Sequence, residues 1–152
     1  MKTQPAPARP GASIMLVDDN PHGLVARRTV LEELGYVIYT CASGEEALET
    51  LGHHKMDVVI TDFRMPAMDG VELIGKIRET QPEMPIILLS GFVEPLGLTE
   101  QSTGADIVLS KSAGEVGLLI RSVRRLLTRP PSRKPAHSQQ VVPSNNKARN
   151  AG

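Results

Sequence analysis

The stretch Ile14-Met15-Leu16-Val17-Asp18-Asp19-Asn20-Pro21 runs four apolar residues straight into two adjacent carboxylates and then a proline. Four apolar residues without polar alternation suit a short strand buried on both faces. Asn20-Pro21 suits a helix cap followed by a first-turn proline, so the two acids lie in a turn between a strand and a helix. Two carboxylates about 4 Å apart repel by roughly 4 kcal/mol at an effective dielectric near 20. The end of a buried strand offers little water to screen them. Something of opposite charge must offset the repulsion.

The same alternation of short apolar run and helical segment recurs along the chain. The further strand candidates are Val37 to Cys41, Val58 to Thr61, Ile86 to Leu89 and Ile107 to Leu109, and each is expected to be buried on both faces. Helix starts are marked by Ser43-Gly44-Glu45-Glu46 and Ser112-Ala113-Gly114-Glu115, which fit a capping box, and more loosely by Asp69 with Glu72. In the last segment Val116, Leu119, Ile120, Val123, Leu126 and Leu127 form one apolar stripe, with Arg121, Arg124 and Arg125 off it. Between Gly91 and Gly104, Pro95 and Gly97 interrupt the pattern, so a short or mobile fourth helix is expected. Five βα units in about 115 residues make an α/β doubly wound parallel sheet with helices on both faces.

Composition bounds the rest. The chain has 152 residues, 40% of them hydrophobic, which is enough for one ordinary core. With two Phe, two Tyr and no Trp, that core must be aliphatic. No apolar run approaches the roughly 20 residues of a membrane span, and the amino terminus lacks the apolar centre of a secretory signal, so a cytoplasmic protein is expected. The single cysteine, Cys41, cannot form an internal disulfide and is read as a packing residue. Residues 1–12 and 129–152 carry seven Lys or Arg and no acid, leaving residues 13–128 at net −7. We therefore expect a disordered extension over 1–12, one folded domain over 13–128 and a disordered basic Pro/Ser/Asn-rich tail over 129–152. That tail is too short and too polar to be a DNA-binding domain.

In a doubly wound sheet ligands bind at the carboxyl ends of the strands. Those ends carry Asp18 and Asp19, then Asp62, Ser90 and Lys111. Singly, each has an ordinary explanation as a cap, a turn former or a solvated charge. Together they make three acids, a hydroxyl and a cation on one edge. A carboxylate cluster without Cys or His suits a hard cation, Mg²⁺ above all, whose open positions accept phosphate oxygens. Lys111 would add a second positive charge and Ser90 a hydrogen-bond donor to the same phosphate. The exposed turn His53-His54 and the helix position His22 are read as solvated surface.

The chain resembles the receiver domains of two-component response regulators, of which the stand-alone chemotaxis regulator is the best-known single-domain form. The resemblance runs from about Ser13 to Leu127. Its motifs are Leu16-Val17-Asp18-Asp19-Asn20, Thr61-Asp62-Phe63-Arg64-Met65-Pro66-Ala67-Met68-Asp69-Gly70, Leu89-Ser90-Gly91, Gly104-Ala105-Asp106 and Ser110-Lys111, in order and spacing. It implies a flavodoxin-like strand order 2-1-3-4-5. It further implies that Asp62 accepts a phosphoryl group from a histidine kinase or a histidine phosphotransfer protein. Asp19, Asp62 and the Arg64 backbone carbonyl would bind Mg²⁺ directly, with Asp18 acting through water. Ser90 and Lys111 would hold the acyl phosphate, and the face formed by helix 4, strand 5 and helix 5 would meet a downstream partner. The protein would be a phosphoacceptor that catalyses only its own phosphotransfer and dephosphorylation, not an enzyme acting on other substrates.

Three departures from the family pattern stand out. Val108 occupies the place where many relatives carry a switching Tyr or Phe. Ser112 follows Lys111 where a proline after a cis peptide is common. Arg64 and Phe92, two beyond Asp62 and two beyond Ser90, are bulky at positions that govern water access, which points to slow self-dephosphorylation. Two rivals are weighed. A haloacid-dehalogenase-type phosphatase wants a second acid where Arg64 stands and a nucleophile ending the first strand. A pseudo-receiver that only binds partners would have lost members of the cluster, and Asp18, Asp19, Asp62, Ser90 and Lys111 are all present.

Overall fold

Each apolar run forms the strand expected of it. The computed structural model describes residue 9 and residues 11–91, 96–112 and 114–128. The order is β1 (Ser13–Val17), α1 (Pro21–Glu33), β2 (Val37–Cys41), α2 (Gly44–Leu51), β3 (Val58–Asp62), α3 (Gly70–Thr80), β4 (Ile86–Ser90), α4 (Glu100–Thr103), β5 (Ile107–Ser110) and α5 (Glu115–Thr128). All pairings are parallel, and the sheet runs β2-β1-β3-β4-β5.

Successive strand residues point to opposite faces, so the strands feed two separate aliphatic layers. Ile14, Leu16, Ile60, Ile87 and Leu89 pack with Leu31 of α1 and Leu119, Val123 and Leu127 of α5. Met15, Val17, Val59, Ile86 and Leu88 pack with Ala47 of α2 and Leu73, Ile74 and Ile77 of α3. β3 and β4 are buried along their whole length, as the unbroken apolar runs require. β2 departs from that expectation. Its Val37 is exposed and Ile38, Tyr39 and Thr40 are only partly buried, because β2 is an edge strand with a single neighbour. In α5 the expected stripe is narrower too: Leu119, Val123, Leu126 and Leu127 are buried, whereas Val116 is 47% exposed.

Local chemistry sets the helix starts. Asn20 Oδ1 accepts from the His22 amide ahead of Pro21. The Ser43 hydroxyl accepts from the Glu46 amide, and Glu46 reaches past it to the Ala42 amide. Asp69 and Glu72, the weakest of the three signals in sequence, form the full reciprocal box. The Ser112 box expected at the last helix has a competitor, since the Glu115 carboxylate is bonded to Arg27. The fourth helix is short where it is described, four residues over Glu100–Thr103. Phe92 and Pro95 lie outside the described residues, as do 1–8, 10 and the expected tail over 129–152.

The end of the segment assigned to the amino-terminal extension is part of the fold. Ala12 is buried, and the Arg9 guanidinium bonds Asp57, whose other carboxylate oxygen takes the Ser13 amide at 2.8 Å. Burial alone would push the Asp57 carboxyl up; the Ser13 amide and Arg9 outweigh it and hold it below its ordinary value. A carboxyl lowered in the fold contributes stability above its unfolded pKa of about 3.9 and loses it as pH falls through the folded value. Asp57→Asn is accordingly expected to cost about 1 kcal/mol near neutral pH. The gap to the parent should close in thermal melts as pH falls through the lowered folded value.

Candidate functional site

Strand register assembles the acids. Val17 of β1 lies opposite Thr61 of β3, so the next residues, Asp18 just past β1 and Asp62 at the end of β3, come side by side. Ser90 lies opposite Ser110, and Lys111 follows one step beyond, its amide donating to the Ser90 carbonyl at 3.0 Å. Each of Asp18, Asp19 and Asp62 offers a carboxylate oxygen within 4.8 Å of the others. Asp18 and Asp62 are buried and Asp19 is exposed, so the cluster opens to solvent on one side.

Asp62 relies on a single cation: its Oδ1 is buried and paired with the Lys111 ammonium. Burial pushes its carboxyl above the ordinary range; Lys111 pulls it back, and the Asp18 charge adds to the rise. Asp18 is held more completely. One oxygen accepts from the Asn20 amide at 3.0 Å and the other from Arg27 Nη1 at 3.0 Å. Ser90 is buried at the end of β4. The arrangement of two buried carboxylates, one open carboxylate and an adjacent ammonium fits a hard divalent cation with room for phosphate oxygens.

The loop after β3 is shaped by close approach. A Cβ on Gly70 would lie 2.3 Å from the Asp62 carbonyl oxygen and 2.8 Å from Leu88 Cδ1, so only glycine lets α3 start against the residue it supports. The Gly70 amide donates to the Phe63 carbonyl at 2.8 Å. Ala67 takes the left-handed φ of 70°, closing a three-residue turn in which the Met68 amide bonds the Pro66 carbonyl at 2.7 Å. Arg64 is exposed on that loop. Among the described peptide bonds none is cis, that between Lys111 and Ser112 included. Val108 is half buried, and its amide is bonded by the Glu100 carboxylate at 3.1 Å.

The response regulator receiver domain family matches residues 14–122, a span that takes in every residue of this cluster. The chain belongs to that family. This receiver domain is 43% identical over 79 residues to the transcriptional regulatory protein GlrR of Escherichia coli, covering 52% of this chain and 18% of the relative. It is 35% identical over 115 residues to the C4-dicarboxylate transport regulator DctD of Rhizobium meliloti, covering 74% of this chain and 25% of the relative. The chain thus spans a quarter or less of these curated relatives. Among solved structures, the response regulator TrrA of Thermotoga maritima in complex with Mg²⁺-BeF superposes with a TM-score of 0.68 at 33% identity, covering 76% of this chain and 98% of that one.

Sequence reasoning brought Asp18, Asp19, Asp62, Ser90 and Lys111 to one edge, and they are there. It missed Arg27 and the role of Glu115. The signal for Arg27 was its place two turns beyond Asn20 on the helix that follows the acids; nothing local tied it to Glu115, 88 residues away. His22, His53 and His54 are exposed, and none of them joins the cluster. Cys41 is buried in the α2–α3 layer, and burial pushes its thiol up. No helix among the described residues is long and apolar enough to cross a membrane.

The glycine contact is testable with an internal control. Gly70→Ala is expected to destabilise by about 1–3 kcal/mol through overpacking against the Asp62 peptide. In the same helix a Cβ on Gly75 meets nothing within 4 Å. Gly75→Ala should therefore raise stability by up to about 1 kcal/mol in denaturant titrations.

Proposed function

We propose that this receiver domain accepts a phosphoryl group on Asp62 from a phosphohistidine of a histidine kinase or histidine phosphotransfer protein, with Mg²⁺ bound at the acid cluster. The observation that carries this is the buried Asp62 carboxylate, paired with the Lys111 ammonium and offering an oxygen within 4.8 Å of those of two further carboxylates. Asp19, Asp62 and the Arg64 backbone carbonyl would hold the metal, with Asp18 acting through a coordinated water. When bound, the divalent ion neutralises charge on the transferred phosphoryl group.

The chain's own groups do the rest. An Asp62 carboxylate oxygen forms the new O–P bond while the N–P bond of the donor imidazole breaks, and the imidazole keeps that electron pair and takes up a proton. Asp62 is favoured as the acceptor because it is buried beside Lys111, which would pair with the acyl phosphate as it forms, whereas the equally buried Asp18 is already held by Arg27 and the Asn20 amide. The Ser90 hydroxyl would donate to the same phosphate. Similarity to a relative solved with Mg²⁺-BeF supports this use of the site. The downstream partner would meet the face of α4, β5 and α5, after phosphorylation shifts the balance between two conformations. Regulation of transcription or transport is known here only from the names of longer relatives.

Incubation with acetyl phosphate and Mg²⁺ should label the chain once, and both EDTA and Asp62→Asn should abolish the label. Absence of labelling by acetyl phosphate and by every kinase tried would leave a module that only binds partners. With Arg64 beside the acceptor, the label is expected to last minutes or longer, and loss within seconds would contradict the shielding. Within the cluster, Asp19→Ala is expected to weaken Mg²⁺ binding by about tenfold or more. Asp18→Ala should weaken it less in the same calorimetric titration, and equal losses would refute the division between direct and water-mediated ligands.

A further inference from the structure

We infer that Arg27 is the built-in counter-ion of the acid cluster: it holds the Asp18 carboxylate when no divalent cation is present, opposes the cation with its own charge, and is itself restrained by Glu115. The inference rests on the metal reading above.

Arg27 lies on α1 with its side chain only 11% exposed, and its guanidinium bridges two elements. Nη1 donates to Asp18 Oδ2 at 3.0 Å and Nε donates to Glu115 Oε2, in the first turn of α5, at 2.7 Å. A second observation shows that the contact is built. One helical turn earlier stands Gly23, where a Cβ would lie 2.8 Å from Asp18 Oδ2 and 2.9 Å from Arg27 Nη1. A side chain there would fill the space in which the ion pair sits. Gly23 thus leaves in the first turn of α1 the room that the ion pair occupies.

Charge accounting gives Arg27 a direction of effect. In formal charge, Asp18, Asp19, Asp62 and Glu115 set four negative charges against Lys111 and Arg27, leaving a net −2 that one divalent cation neutralises. Without Arg27 the same cluster attracts the cation more strongly but is more strained when empty. Glu115 acts oppositely: it draws the guanidinium toward α5 and cancels part of its charge. It also means that a cation competing for Asp18 does not strand the guanidinium, because Arg27 keeps a carboxylate partner. Arg27 is thus a positioning residue acting through Asp18.

A merely structural bridge would make every variant that breaks it bind Mg²⁺ more weakly. The counter-ion role separates the two arms. In the full chain stripped with EDTA and titrated with Mg²⁺ by calorimetry at constant ionic strength, Arg27→Met is expected to bind about threefold or more tighter. Glu115→Gln should bind about twofold or more weaker, and Arg27→Lys, which keeps the charge, should stay within about twofold of the parent. In EDTA the melting temperature of Arg27→Met should fall, and the rise on adding Mg²⁺ should exceed that of the parent. Shifts of Arg27→Met and Glu115→Gln in the same direction, or no shift in either, would overturn the inference. Should Arg27→Met fail to fold, Glu115→Gln decides: weakened binding supports the role, and unchanged or tighter binding overturns it. A parent chain that takes up no Mg²⁺ would instead overturn the metal reading, and this inference with it.

Discussion

Holding three carboxylates at one sheet edge is the constraint on which the rest of the molecule depends. Repulsion of roughly 4 kcal/mol for a pair 4 Å apart is comparable to the whole stability of a small domain, about 5–15 kcal/mol. The chain meets it with two cations supplied from opposite ends of the sequence. Lys111, after the last strand, faces Asp62, and Arg27, on the first helix, holds Asp18. Neither cation would serve in a loose frame, because an ion pair that fluctuates in water contributes little. A parallel sheet buried on both sides supplies the rigidity, with the register that sets Val17 opposite Thr61 delivering the acids to the same place.

The frame has its own ties away from the site. Arg78, near the end of α3, donates to the carbonyls of Pro82, Met84 and Gly104 and pairs with Asp106, whose carboxylate also takes the Ile86 amide at 2.8 Å. One side chain thus joins the entries of β4 and β5 to the helix between β3 and β4. At the same end of the sheet, Asp57 joins β1 to the turn before β3. Both ties lie at the amino ends of the strands, opposite the acids, where Arg27 and Lys111 make the corresponding links.

Much of this was legible because the signals are local. Unbroken apolar runs identify strands through burial on both faces, and Asn20-Pro21, Ser43 and Asp69 identify helix starts through bonds that close within three residues. The acids were legible because a doubly wound sheet gathers the ends of its strands on one edge. What escaped was non-local. The partial exposure of β2 follows from its edge position, which its own five residues do not encode. Ala12 reads as part of a polar, proline-rich segment, yet it is buried against the start of the sheet. Glu115 reads as a capping residue because its sequence context is a cap, whereas its carboxylate serves an arginine 88 residues earlier.

The last βα unit shows why that omission matters. Both cations of the acid cluster lead there: Lys111 by position, directly after β5, and Arg27 through Glu115 in the first turn of α5. An aliphatic residue, Val108, stands in β5, and its outward amide is bound by the Glu100 carboxylate of α4. The contacts that join the cluster to β5 and α5, and β5 to α4, thus include carboxylate bonds. Aliphatic packing responds weakly to a change of charge, because dispersion contacts carry no sign. An ion pair responds directly, and more so when buried from screening salt. In this receiver domain ion pairs link the acid cluster to the final strand and helix, and the side chain at Val108 is aliphatic.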